Sequence, residues 1–323
     1  MGFDLRDNRG LICGFRLQPH GCASEVELSA IDAEVPPQFP LWLHFNVNDT
    51  RARDWIGTCA WLGPESREAL LSAEHTIRLE AAGNGIVGVL ADVFADDPET
   101  FGVFHLYADP SCLVTGRHHG VTAVGLLRRD LAGGMPLDST ASLLNRLFGH
   151  LVATFGKMVA EYGVLIDDAE DRVLAGRFGE AALGQQRRAM ARLRRQVVAD
   201  RHALGDLLAR PPPWWDKPAA RDLRQVTGAL SSVAQDLELV QERARLLNEE
   251  IDSRVAERTN RNFYFISVAA AVFLPITLIS GIFGMNVGGL PWLQSSNGFA
   301  WVMGIMLAAI VVAFALMRWR RML

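Results

Sequence analysis

The charges stop before the chain does. All 36 acidic residues of the 323-residue sequence lie at or before Glu257, and only Arg258, Arg261, Arg318, Arg320 and Arg321 carry charge beyond it. Within this acid-free tail, Asn262–Phe283 and Gly298–Met317 run for 22 and 20 residues without a charged side chain. A helix needs roughly 20 apolar residues to cross about 30 Å of hydrocarbon, so both runs are expected to span a membrane. A buried core helix is the alternative for one such run; two of them at the end of an otherwise charged chain favour the bilayer. Residues 1–257 hold 27 basic against 36 acidic groups, a net of −9, and the last 66 residues hold +5, so the overall −4 averages two opposed parts. Half of the residues are hydrophobic, which excludes a disordered or collagen-like chain, and the acidic balance argues against nucleic acid as a partner.

Arginines fix the expected orientation. Arg254, Arg258 and Arg261 precede the first run, Arg318, Arg320 and Arg321 follow the second, and the segment Gly284–Asn297 between them is uncharged. By the positive-inside rule both termini are cytoplasmic. The opening MGFDLRDNRG has the acids and turn formers of a cytosolic segment rather than the pattern of a cleavable signal peptide. Cys13, Cys22, Cys59 and Cys112 form no CxxC pair, so reduced thiols are expected. Thirty arginines against two lysines suggest a GC-rich bacterial genome, and with it a bacterial inner (plasma) membrane.

The fold class expected is α+β, in three parts. Residues 1–135 read as a cytosolic α/β domain. Gly10–Leu17, Leu41–Val47, Thr76–Leu79, Ile86–Phe94, Val103–Tyr107 and Cys112–Thr115 have the composition of strands, and Pro64–Leu71 that of a helix. Residues 136–261 read as a helical hairpin and a stalk. The first helix begins at Ser139 or Thr140 and carries Leu143, Leu144, Leu147, Leu151, Phe155, Met158, Tyr162, Leu165 and Val173 at helical spacing. The second runs from about Glu180 to Ala209 and stops at three prolines, Pro211–Pro213. The stalk repeats Leu223, Val226, Leu230, Val233, Leu237, Val240, Ala244, Leu247 and Ile251 in a 3-4 pattern over four heptads. No proline or glycine cluster separates it from the first span, so one helix should run from about Ala219 to Phe283. Residues 262–323 are the expected transmembrane pore domain.

Two helices per chain cannot enclose a hydrated path, so conduction would require several copies around an axis. The first span has the better lining. Thr259, Ile266, Ala270 and Thr277 project in nearly one direction at 100° per residue, flanked by Asn260, Phe263, Ser267 and Leu274. Such a stripe of small and polar residues also suits helix packing. The second span has no polar side chain between Trp301 and Met317 and reads as an outer, lipid-facing helix.

At the far end of the first span stands Gly284-Met285-Asn286, preceded by Phe283 and followed by Val287-Gly288-Gly289-Leu290-Pro291-Trp292. Together with Phe273-Leu274-Pro275-Ile276-Thr277, two closing spans and a long charged helix leading from an acidic domain, this resembles the signature of the CorA superfamily of divalent metal transporters. Magnesium and cobalt members follow the GMN with a Met-Pro-Glu type loop. Here no carboxylate stands between Gly284 and Asn297, which resembles the ZntB zinc transporter branch, as does Leu41-Trp42-Leu43-His44-Phe45-Asn46. The resemblance implies a funnel-shaped homopentamer with the first span lining the pore and the second outside it, and zinc as the transported ion with no resident cofactor. Members of the branch are described as exporters and as proton-coupled importers; the import reading is the one carried here.

Physical chemistry fits parts of that expectation. A ring of Asn286 amides could hold a cation or its hydration water, Thr277 would form a second polar ring, and Leu274 with Phe263 or Ile266 would form apolar constrictions. A net of −9 per chain becomes about −45 in a pentamer, a field that concentrates cations at the inner mouth. Glu249, Glu250, Asp252 and Glu257 stand at that mouth, interleaved with Arg254 and Arg258 in a pattern that ordinary helix-surface pairing also produces. The spans offer zinc none of its preferred Cys, His or carboxylate ligands, so the ion should pass largely hydrated. His118, His119, His20 and Cys22 are candidate cytosolic metal contacts, each equally compatible with a structural role. Proton coupling would need a titratable group outside the spans, because Asn262–Met317 contains none. A magnesium, cobalt or nickel channel, zinc efflux, and a membrane-anchored sensor are the rival readings. No phosphate loop, nucleophile elbow or catalytic metal cluster appears, so an enzyme is not expected.

Overall fold

The computed structural model describes residues 10–18, 23–97, 100–177, 183–285, 289–292 and 296–319. It divides into two compact units, Met1–Leu247 and Asn248–Leu323. The first is α+β. Strands β1 (Leu11–Leu17), β2 (Ala23–Glu25), β3 (Leu41–Asn46), β4 (Arg78–Ala82), β5 (Gly85–Val93), β6 (Phe101–Ala108) and β7 (Cys112–Arg117) form one sheet in the order β2-β1-β3-β7-β6-β5-β4. Only β3 and β7 run parallel among these named pairs. Helices α1 (Thr50–Thr58) and α2 (Pro64–Leu71) bring Ala52, Ile56 and Leu70 against Leu43, Phe45 and Val114. Side chains alternate along a strand, and the alternate residues Trp42, Phe104 and Leu106 are buried too, so the sheet is covered on both faces.

Helices α3 (Thr122–Ala132), α4 (Thr140–Leu174) and α5 (Gly184–Ala209) also pack on the sheet. Ser139 starts α4 with a reciprocal cap: its hydroxyl accepts from the Ser142 amide at 3.2 Å while the Ser142 hydroxyl accepts from the Ser139 amide at 3.1 Å. The expected apolar face of α4 is buried from Leu143 through Met158, then drifts. Leu165 is exposed, and Ile166, Ala169 and Val173 take the inward positions. Glu180, the expected start of α5, lies outside the described residues; the described helix starts at Gly184.

Other expectations shift as well. β4 is Arg78–Ala82 rather than Thr76–Leu79, because Ala82 pairs with Gly85 across a two-residue turn in which Gly83 takes φ +60°. That turn type wants glycine at its first central position and carries the strand up to it. β2, α1 and α3 were not anticipated. β2 is three residues long with no buried side chain, and α1 buries only Ala52 and Ile56.

The long helix is continuous: α6 covers Lys217–Phe283 with Pro275 inside it. Its buried residues are not the full heptad stripe. Leu223, Thr227, Leu230, Ala234 and Leu237 are buried at 4-3-4-3 spacing, while Val226, Val233 and Val240 are half-buried at the edge. Within its own unit this is the face of a helix packed on a globular domain, and the valines are left for a second surface.

Candidate ion pathway

The second unit comprises the end of α6 and helix α7 (Gly298–Trp319), both long and apolar enough to cross a membrane, with no part of their apolar windows buried inside the protein. Phe263, Ile266, Leu274 and Leu278 of α6 are 63–68% exposed, which no aqueous surface tolerates as a continuous band. The coverage is uneven around α6. Tyr264, Val268, Ala271, Pro275 and Ile279 are half-buried and share one side of the helix. Thr259, Asn260, Phe263, Ile266, Ser267, Ala270, Leu274 and Thr277 are all exposed. At about 100° per residue the core of this set, Thr259, Ile266, Ala270 and Thr277, falls within an arc of about 40° and points away from the covered side.

Chemistry along that uncovered stripe is spare. The Thr277 hydroxyl donates to the Phe273 carbonyl at 2.8 Å, one turn back. Its proton is thereby committed to the helix, and the oxygen presents lone pairs outward, the polarity a cation or its water shell needs. At the end of the span the Gly284 amide still donates to the Ser280 carbonyl at 2.8 Å, and the Met285 amide reaches Ile282 at 3.3 Å. A Cβ at Gly284 would stand 3.0 Å from the Ser280 carbonyl oxygen, so a side chain there would crowd the last turn. Met285 is half-exposed at this end, and Asn286 lies outside the described residues. Beyond it, Trp292 takes φ 64° and stacks on Trp301 with ring centroids 6.1 Å apart.

The four acids expected at the inner mouth do not act alike. Asp252 falls on the same helical azimuth as Thr259 and Ala270, and Glu249 flanks it; Glu250 and Glu257 project from the opposite side. Glu250 is paired with Arg254, whereas Asp252 accepts from the Asn248 amide at 3.1 Å. Helix pairing thus accounts for Glu250, and Asp252 is the carboxylate aligned with the stripe.

Among the cytosolic candidates, His118 Nδ1 is 2.8 Å from Asn48 Oδ1, and His119 packs against Phe94 at 5.0 Å between ring centroids. The two neighbours therefore face different surroundings. His20 and Cys22 lie outside the described residues. Among the described residues no three His, Cys, Asp or Glu side chains are disposed to hold a metal ion as they stand. Cys13, Cys59 and Cys112 are free and buried, and burial pushes the Cys13 thiol up to about 12 and the Cys59 thiol to about 11, which keeps both from being thiolate ligands. Sequence reading missed two buried carboxyls. Asp92 on β5 accepts from the Val93 and Ala123 amides at 2.8 and 2.7 Å, and burial raises it to about 7. Asp200 on α5 accepts from the Ala91 amide at 3.0 Å where β4 has ended, and burial holds it well above the usual carboxylate range. An aspartate inside the apolar run GIVGVLADV was the available signal for Asp92.

Known proteins resemble this chain along almost its whole length. The profile of the CorA-like Mg2+ transporter protein family matches residues 38–321. A divalent cation transporter named CmaX, from Pseudomonas aeruginosa, is 25% identical over 98% of this chain and 99% of its own. A zinc transport protein named ZntB, from Yersinia enterocolitica, is 27% identical over 88% of each. The solved structure of full-length CmaX superposes with a TM-score of 0.82 at 24% identity, covering 99% of both chains. With its sheet domain, continuous long helix and two membrane-length helices, the protein has the fold of these transporters. The chain belongs to the CorA-like Mg2+ transporter family, whose members move divalent cations across membranes.

Proposed function

We propose that this protein carries zinc into a bacterial cell through a homopentameric pore lined by the first span. The uncovered stripe on α6 is the observation that carries the reading: Thr259, Asn260, Phe263, Ile266, Ser267, Ala270, Leu274 and Thr277 occupy the side of the helix that its own unit leaves bare. Copies placed around an axis with that side inward would present rings of Thr277 and Thr259 oxygens separated by apolar Leu274 and Ile266. Asn286, with Gly284 and Met285, would form the outer selectivity ring, and Asp252 with Glu249 would gather cations at the inner end. Residues 1–135 and 136–261 would then be the cytosolic domain and its hairpin and stalk, and 262–323 the pore domain in the inner membrane, with both termini in the cytoplasm.

Zinc as cargo rests on the relatives named for zinc transport and on the loop Gly284–Asn297, which has no carboxylate. The ion passes hydrated, since the stripe offers only hydroxyl, amide and apolar groups. Magnesium, cobalt or nickel is the second reading, favoured by the Mg2+ in the family's own description. Zinc uptake into proteoliposomes, measured with and without excess Mg2+ and with and without an imposed pH gradient, separates them. Zinc flux that resists Mg2+ and rises with an inward proton gradient supports coupled zinc uptake. Flux abolished by Mg2+ supports the second reading, and flux indifferent to pH rejects coupling.

A further inference from the structure

Three histidines from separate segments meet at one end of the sheet. His105 lies on β6 opposite Gly116 of β7, and His118 follows two residues after Gly116 on the same face. His75 stands between α2 and β4. Ring centroids of His118 and His105 are 6.3 Å apart, and those of His118 and His75 6.4 Å. Gly116 leaves room for Val47 beside this end of the sheet, since a Cβ there would stand 2.8 Å from Val47 Cγ1.

Hydrogen bonds preset two of the rings. His105 Nδ1 is 2.8 Å from the Ala69 carbonyl, one of the last carbonyls of α2, which can only accept. The proton therefore sits on Nδ1, and the lone pair on Nε2, which is buried and has no hydrogen-bond partner. His118 is set in the same way. Asn48 donates its amide to the His118 carbonyl at 2.7 Å, so its Oδ1 is the atom 2.8 Å from His118 Nδ1, and it accepts. Both rings thus keep Nε2 as a free base with Nδ1–H held by an oxygen, the arrangement that orients imidazole ligands around a metal.

We propose that His75, His105 and His118 form a binding site for a zinc-like dication in the cytosolic unit, with solvent water as the fourth ligand. Two imidazoles on one zinc at about 2.0–2.1 Å place their centroids about 5 Å apart, so the two pairs that share His118 are each open by roughly 1 Å. His75 is exposed and His118 half-buried, so a swing of His75 and a small shift of His118 that keeps its Asn48 bond close the site around the fully buried His105. Desolvation and their mutual repulsion lower the proton affinity of His105 and His118, which favours the neutral ligating form. Of the cations around the site, Arg78 acts on His105 and is itself paired with Glu74 at 2.7 Å, and Arg53 acts on His118. The site does not depend on which ion crosses the membrane.

The test uses the full-length, metal-stripped protein in detergent, titrated with zinc against a chromophoric chelator and with Co2+ followed by its visible absorption. One tight zinc per chain is expected, with the intense bands of four-coordinate Co2+. Asn48→Ala, which frees His118 without removing a ligand, should weaken zinc binding by about 10–100-fold. His75→Ala with His118→Ala should abolish the tight site and the bands, while His202→Ala, at an exposed histidine of α5, should leave both intact. Equal zinc affinity in the wild type and the His75→Ala/His118→Ala variant would overturn the proposal, as would loss of the tight site in His202→Ala alone. Because the measurement is of binding and not flux, it stands whether or not the pore carries zinc.

Discussion

The two units use the same side chains in opposite ways. In the first, Phe45, Phe104, Phe148 and Phe155 are fully buried; in the second, Phe263, Phe265, Phe273 and Phe299 are at least 58% exposed. Apolar area removed from water stabilises by about 25 cal/mol per Å², so the first unit carries its own driving force. The second unit leaves that area to the bilayer and to neighbouring copies. Polar groups reverse in the same sense. The first unit buries His44, Asp92, His105 and Asp200 and gives each at least one hydrogen bond, whereas the second presents Thr277 and Thr259 on an open face. A self-contained core and a membrane segment completed by others are thus joined by one helix, α6.

Substitutions at matched positions sharpen that contrast. The largest effect is expected in the core of the first unit: Phe148→Ala removes a ring with no exposed surface and should lower unfolding stability by about 3–5 kcal/mol, read by chemical denaturation. Next comes the second membrane-length helix. Leu307→Asp on α7 should cost about 3 kcal/mol of membrane insertion, seen as loss of membrane-integrated protein, without altering the secondary structure of the first unit. If Leu274→Asp on the α6 stripe cost as much as Leu307→Asp, the two faces would be equivalent and the contrast would fail.

A smaller effect follows from the buried carboxyls. Asp92 and Asp200 have raised values in the fold, so the folded state holds protons that the unfolded chain releases above about pH 4. Their contribution is present at low pH and is lost as pH rises toward 7, on the order of 1 kcal/mol per pH unit for each proton held. Denaturation midpoints of the first unit should therefore decrease as pH rises from 4 to 7, and Asp200→Asn should flatten the decrease. His44 works against them: burial and Arg117 lower it to about 3, so its contribution fades as pH drops below about 6.5. The smallest effect is at the surface, where Arg194→Ala should change stability by less than about 1 kcal/mol despite its 2.9 Å pair with Glu238.

Legibility in the sequence followed the strength of local signals. Both spans, the continuous long helix and α2 at Pro64–Leu71 could be read because uncharged length, unbroken periodicity and a proline at the first helical position are properties of contiguous residues. α3 was missed although Ala123, Val124, Leu127 and Leu131 fit one helical face, since Val121 provides no side-chain cap and Gly125 interrupts it. α1 had a cap in Asp49 but too few apolar residues to show a period. The heptad stripe of the stalk was visible, yet only tertiary packing decides that Thr227 and Ala234 go inward while Val226 and Val233 stay at the edge. The stripe on the first span could be named residue by residue, but its being the bare side of the helix could not. The histidine trio was the least legible, because it brings together residues 30 and 13 positions apart through the pairing of β6 with β7.

The measurement that tests the central claim most directly is zinc flux in proteoliposomes bearing a single introduced thiol. In a Cys22→Ser background, whose other thiols Cys13, Cys59 and Cys112 are buried, a charged thiol reagent should cut flux at least about tenfold with Ala270→Cys on the α6 stripe, while Ala308→Cys, on an exposed position of α7, and the background itself should be unaffected. Block at Ala308→Cys with full flux through modified Ala270→Cys would contradict the assignment of the first span as the lining of the path.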